Sequence, residues 1–257
     1  MRITQLLVTS ILFAFAVAAM PALDSSAALG EMVAARKASD EARLESLRTS
    51  LAERAGKEKE AYQAQWDAAE CFRISATEFR TGRQVNNLGG KEVKELKSQQ
   101  ERWAAQGLVY GERAVALAGS EAELAAANRV VGELYACSIT GMVSGMRNGP
   151  KARSHMDEAT KRTPHDPECQ RALGIMYLNN PAFSGGDVPK AIATFIHCHE
   201  LVPDNDEYMV ILAMAYQKDK QWDKAQETVD QALTLNPANK NAAALRERIA
   251  AKEGFAE

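Results

Sequence analysis

Gly185 and Gly186, followed by Lys190, are the first residues whose types invite a chemical reading, because a glycine pair ahead of a lysine can cradle a phosphate. A phosphate loop of that kind needs four residues between its glycines, Lys-Ser/Thr directly after them, and a strand in front. Here the glycines are adjacent, Asp187-Val188-Pro189 precedes the lysine, and no strand-like run leads in. The stretch reads instead as a turn between helices. Leu178-Asn179-Asn180 ends a helix, since the residue before Pro181 is pushed out of the α region. Gly185 and Gly186 supply backbone angles that other residues resist. Asp187 then caps a new helix whose first turn tolerates Pro189. Pro181, Phe183, Gly185, Gly186 and Asp187 are therefore expected to form a long turn that binds no nucleotide.

His165, Cys169, His197, Cys198 and His199 form the second group worth weighing. Thiolates and imidazoles at a helix junction are zinc ligands. Against a site, no Cys-x-x-Cys pair is present, His197 and His199 project from different helix faces, and Cys198 stands where a small buried residue is wanted. Neither a metal nor another cofactor is expected. None of these histidines, nor His155, has a nucleophile and a carboxylate at a telling spacing, and no strand carries a nucleophile elbow. The chain reads as a non-enzyme without catalytic residues.

The elements that must position these residues begin after a leader. Met1 and Arg2 give a short positive start, and Leu6 to Ala19 form an apolar run of signal-peptide length, too short to span a bilayer comfortably. Pro21 breaks the run and Ser25-Ser26-Ala27 offers small residues for cleavage. Residues 1–27 are expected to be a signal peptide, the alternative being an uncleaved anchor. The mature chain is expected in the periplasm with no transmembrane segment. No cysteine precedes Cys71, which leaves none for an N-terminal lipid. The four cysteines are an even number in a compartment that permits disulfides. Helix topology favours Cys169–Cys198 with Cys71–Cys137, buried free thiols being the alternative for the second pair.

Charge is nearly balanced, 31 basic against 34 acidic residues, and no basic stripe with interleaved aromatics offers a nucleic-acid surface. Alanine, glutamate, lysine, leucine and arginine dominate, the composition of a nearly all-α chain. Pro164, Pro203 and Pro237 each close an amphipathic segment; 39 residues separate the first two and 34 the last two. Before Pro237 stand Met209, Leu212, Ala213, Tyr216, Ala225, Val229 and Ala232. Before Pro203 stand Leu173, Gly174, Tyr177, Ala191, Phe195 and Cys198. Both sets follow the tetratricopeptide spacing of two helices, small residues where the helices approach and large ones where neighbouring pairs meet. One such pair cannot cover its own apolar face, so stacking is obligatory.

The excess length of the repeat ending at Pro203 falls in the Asn180–Asp187 turn. Upstream, Ser120-Glu121-Ala122-Glu123 is a capping box. It opens a helix expected to run to Arg147, stopped by Asn148-Gly149-Pro150. Tyr135 and Ala152 lie eight residues further apart than the pattern allows, so this repeat also carries an enlarged turn. Trp66 to Phe79 and Glu92 to Leu117 are expected to form another helix pair. Residues 29–60 read as one charged amphipathic helix with Leu44, Leu47 and Leu51 on one face, and 239–252 as a polar capping helix. The expected fold is an all-α, tetratricopeptide-like helix-turn-helix solenoid. Its divisions are a leader at 1–27, a divergent helical region at 28–119, repeats at 120–237, and a cap with tail at 238–257.

Residues 120–250 resemble tetratricopeptide repeats. More narrowly, the Pro181, Gly185, Gly186, Asp187, Lys190, Ala191 turn in an exported helical chain resembles the T-component (TatT) proteins of TRAP transporters. That resemblance implies a periplasmic helical-repeat partner of a solute-binding protein. Two functions follow: a scaffold that grips a protein or peptide, or a transport accessory that holds a small apolar solute or a solute-binding protein. In a tetratricopeptide stack the inner groove is lined by positions 2, 5, 9, 12 and 13 of each first helix. Here those include Arg171, Ile175, Leu178 and Asn179, then Val210, Met214, Gln217 and Lys218, an apolar floor with a polar rim that suits a peptide with an apolar anchor. Ile175 and Met214 stand where a carboxylate clamp would want asparagine. The alternative is that the N-terminal helix folds back over these residues, because large exposed apolar patches are uncommon.

Overall fold

A computed structural model describes residues 25–254 except 39, 86–89 and 183–184. The leader up to residue 24 and the turn residue Phe183 lie outside the described residues. Among these residues the chain is all helix: α1 (Ser25–Lys37), α2 (Glu41–Lys57), α3 (Tyr62–Val85), α4 (Gly90–Leu117), α5 (Glu121–Cys137) and α6 (Met142–Arg162). There follow α7 (Pro167–Asn179), α8 (Val188–Leu201), α9 (Asp206–Lys218), α10 (Trp222–Leu235) and α11 (Lys240–Ala250). Neighbouring pairs α3/α4, α5/α6, α7/α8 and α9/α10 pack in succession and α11 covers the last of them. This is a tetratricopeptide-like solenoid. No helix among the described residues is long and apolar enough to cross a membrane.

The boundaries follow a short repeated grammar. Each of α6, α8 and α10 ends two residues before a proline that cannot continue it, with the C-cap Thr163, Val202 or Asn236 standing between the helix and Pro164, Pro203 or Pro237. Two residues after each proline, Asp166, Asn205 and Asn239 cap the next helix. Ser120 caps α5, its side chain accepting from the Glu123 N–H at 3.2 Å. The reciprocal half of the expected capping box does not form, because the Glu123 carboxylate accepts from the Gly119 N–H at 2.8 Å instead of the Ser120 N–H.

Two expectations about helix ends are corrected. Residues 29–60 make two helices, because Asp40 folds back onto the Ala35 carbonyl and caps α2 through the Arg43 N–H at 3.0 Å. The helix opened by Ser120 stops at Cys137, and α6 begins at Met142 and passes through Pro150. Pro150 removes one backbone bond without ending α6.

Packing explains the small residues. A Cβ on Gly174 would lie 2.5 Å from the Phe195 ring, so α7 and α8 touch through that glycine. Phe195, Ala191, Val229, Ala225 and Ala232 are fully buried in the C-terminal core. Leu44, Leu47 and Leu51 bury against α3 in a separate N-terminal core, as their shared face demands.

Candidate functional site

The inner face is not an open groove. Of its expected lining, Arg171, Leu178 and Gln217 are at most 1% exposed, Val210 and Met214 3%, and Ile175 8%. Asn179 and Lys218 are half-buried at its edge. The N-terminal helices lie across this face: Arg36 pairs with Glu207 at 3.1 Å, Asn241 donates to Glu78 at 2.8 Å, and the Arg248 guanidinium donates to the Gln84 carbonyl. The folded-back N-terminal region is thus the arrangement found, and the apolar floor is core.

A ladder of buried charges occupies the same face. On α3, Arg73 forks onto Glu70 at 2.8 and 2.7 Å and reaches Glu133 at 3.2 Å. On α5, Arg129 holds Glu133 at 2.9 Å. From α7, Arg171 grips both Glu133 oxygens at 2.8 and 2.7 Å and Glu168 at 3.0 Å, and Tyr208 of α9 donates to Glu168 at 2.6 Å. Burial pushes the Glu133 carboxyl up, but Arg171, Arg73 and Arg129 together outweigh it and hold it far below the usual carboxylate range. Glu70 and Glu168 are lowered against burial by the same arginines. Three carboxylates and three guanidiniums neutralise one another, so the ladder registers α3, α5, α7 and α9 and offers no charge to a ligand.

The two enlarged turns have a different outcome. Residues 138–141 with the first half of α6, and residues 180–182 and 185–187, come together at one edge of the stack. Between them runs a cleft with lobes of about 720 and 660 Å³, both bordered by Ala136, Ile139, Met176 and Pro181. Beside it Met142, Val143 and Met146 are 80%, 70% and 67% exposed. Those three residues sit in a stretch containing Gly141, Gly145, Gly149 and Pro150, poor helix formers that leave this half of α6 weakly determined on its own.

The described ends of the turn, residues 180–182 and 185–187, take the geometry their sequence requires. Asp187 accepts from the Lys190 N–H at 3.0 Å, and its own N–H reaches the Tyr177 carbonyl at 2.9 Å. Gly185 has φ +92°, and a Cβ on Gly186 would lie 1.8 Å from the Asn180 carbonyl oxygen. Pro181, Gly186 and Asp187 line the larger lobe, with Ile175 and Asn179 from α7 and Lys218 from α9.

The expected Cys169–Cys198 bridge is not formed. Cys169 lies 3.3 Å from the Thr163 hydroxyl, whereas Cys198 donates to the Pro167 carbonyl at 3.5 Å. All four cysteines are buried free thiols. Burial pushes Cys169 up to about 11 and Cys198 up to about 12, the opposite of an activated thiolate. No group of three or more His, Cys, Asp or Glu among the described residues is placed to hold a metal ion.

Sequence reasoning missed Arg80, Ile139, Met142, Val143, Met146 and Met176. The signal for four of them was the eight-residue excess between Tyr135 and Ala152, filled with apolar residues between glycines. The ladder was signalled by Glu70/Arg73, Arg129/Glu133 and Glu168/Arg171, opposite charges three or four apart on alanine-rich helices.

Comparison with known proteins agrees with this architecture. The tetratricopeptide repeat family pattern matches residues 182–249. TTC0263, a thermophilic TPR protein of Thermus thermophilus, is 18% identical, with 89% of this chain and 98% of that one aligned and a TM-score of 0.59. YrrB, described as a TPR protein with an unusual peptide-binding site, is 15% identical over 87% of this chain and 92% of its own, with a TM-score of 0.40. The TPR2AB domain of yeast Sti1, in a complex with pHSP90, is 16% identical over 89% and 99%, with a TM-score of 0.33. No curated protein matches the chain. None of these findings supports the T-component resemblance. The chain carries tetratricopeptide repeats at 182–249 and has the tetratricopeptide-type solenoid fold.

Proposed function

We propose that this chain is an exported, non-catalytic scaffold of the cell envelope whose docking surface is the cleft between its two enlarged turns. One observation carries the reading: Met142, Val143 and Met146 stand exposed beside a large apolar-lined cleft, while the inner face is filled by the chain itself. Soluble proteins seldom leave such residues grouped without a partner to cover them. Methionine suits this use, because its unbranched side chain adapts to different apolar surfaces. The apolar run from Leu6 to Ala19 supports export to the periplasm.

The test is site-specific photo-crosslinking in envelope extract from a crosslinker placed at Met146 and, separately, at Lys224, which is exposed on α10. A discrete adduct from position 146 that is lost on Met142→Asp substitution is expected, with none from 224. Equal labelling from both, or adducts indifferent to Met142→Asp, would overturn the reading. Export has its own check: the mature N-terminus should fall between Leu23 and Glu31, and an intact Met1 in the periplasmic fraction would contradict it.

A second reading, a transport accessory that encloses a small apolar solute, draws on the lobe volumes of about 720 and 660 Å³, the size of small-molecule pockets. An apolar fluorophore displaced from the cleft by a small solute, with no protein adduct at Met146, would favour it.

A further inference from the structure

We propose that the cleft docks an extended segment of a partner protein in which a large apolar side chain is closely followed by an acidic one, the acid pairing with Arg80 while the apolar side chain covers Ile139 and Met176. The inference rests on the cleft being the docking surface and adds the chemistry of what docks there.

Arg80 is the observation that carries it. It lies on α3, half-buried, and borders the larger lobe together with Ile139, Ile175 and Met176. Among the described residues it makes no hydrogen bond and no ion pair. Two turns earlier on the same helix Arg73 is held by two glutamates, and Arg129 and Arg171 are held likewise. A guanidinium drawn partly out of water among apolar side chains, without a counter-charge, is costly, and a carboxylate arriving from outside removes that cost.

The remaining charges around the cleft do not supply one. The Asp187 carboxylate caps α8 and pairs with Lys190 at 3.2 Å. Glu133 borders a small void beneath the cleft but is already shared by three arginines. Lys218, whose ammonium donates to the Leu178 carbonyl at 2.8 Å, and Arg153, paired with Asp157, stand at the rim and bring no carboxylate to Arg80. The cleft therefore presents a recessed guanidinium with an apolar wall beside it. One recessed cation among apolar side chains fits one carboxylate with an adjacent apolar group; a polyanion would need a broad basic surface. Arg80 stands on α3, outside the inner-groove positions of the repeats.

The experiment selects a phage-displayed random peptide library against the full mature chain and measures the winners on Arg80→Gln and Met146→Asp variants. Selected peptides should carry Asp or Glu within two residues of a large apolar residue, bind Arg80→Gln at least about tenfold more weakly, and bind Met146→Asp weakly or not at all. Replacing the peptide acid by its amide should cost the same factor on the parent chain and nothing on Arg80→Gln. Arg80→Gln should keep the parent thermal midpoint, because among the described residues Arg80 has no hydrogen-bond or ion-pair partner to lose. Peptides that bind Arg80→Gln as well as the parent but lose Met146→Asp would overturn the acidic anchor and leave the cleft standing. Peptides indifferent to both substitutions, or no selection above background, would overturn the docking surface as well.

Discussion

Arg73 and Arg80 stand two turns apart on α3, and their surroundings could hardly differ more. Arg73 is locked between Glu70 and Glu133 on an inner face that α1, α3 and α11 close. Arg80 points into a cleft where no described carboxylate meets it. The same contrast runs along α7, where Arg171 is wholly buried in the ladder and Met176, five residues on, lines the cleft. The repeat fold turns most of its groove into core, and what stays open is the end at Ile175, Asn179 and Lys218 where it meets the enlarged turns. The lesson is that repeat geometry predicts which residues face inward, while only the remainder of the chain decides whether inward means open.

The comparison breaks most decisively if the inner face tolerates charge. Val210→Glu with Met214→Glu places two carboxylates in the C-terminal core without partners, at a cost of about 5 kcal/mol or more, enough to unfold a typical domain. Loss of a cooperative thermal transition is expected; a folded double variant would mean the face is open. Glu133→Ala takes the shared carboxylate from three buried guanidiniums, leaving them only Glu70 and Glu168, and should cost about 3–5 kcal/mol in chemical denaturation. Gly174→Ala forces a methyl against Phe195 and should cost about 2–3 kcal/mol through repacking of α7 on α8.

A smaller effect sharpens the account of closure. Burial and the nearby Glu207 push the Glu78 carboxyl up to about 7, with Arg36 and the Asn241 amide opposing. Its folded pKa lies above the model-peptide value of 4.5, so the folded state binds the proton more tightly than the unfolded one. The resulting stabilisation is fully present below about 4.5 and is lost as pH rises through about 7. Glu78→Gln should remove that slope and leave the protein ~2 kcal/mol more stable than the parent at pH 8, read from denaturation midpoints across the pH range. The smallest effect belongs to the cleft, where Met146→Asp, on an exposed helical turn, should change stability by less than about 0.5 kcal/mol.

Much of the stack was legible because its signals are local. Prolines at 164, 203 and 237 and the Asx caps that follow them mark helix ends irrespective of what packs nearby. Gly174, Tyr177, Ala191 and Phe195 reveal their helix pair by spacing alone. The break at Asp40 was hidden by an amphipathic pattern that continues across it, and Pro150 misled because a proline inside a helix is tolerated when the loss is one exposed backbone bond. The closed groove could not be read at all from the repeats, since what fills it comes from α1, α3 and α11, remote in sequence from Val210 and Met214. Arg80 was invisible for the same reason: its distinction is that no described carboxylate reaches it, and only the fold shows which of them are out of reach.

The most direct measurement is thiol reactivity at two engineered positions, with the four native cysteines buried and silent. Met146→Cys and Met214→Cys would each be exposed to a maleimide under native conditions and followed by mass. Met146→Cys should react at the rate of a free thiol, and Met214→Cys only at the rate of global unfolding, slowing further when the protein is stabilised. Fast labelling at 214 that matches 146 would contradict the division between a closed inner face and an open edge cleft.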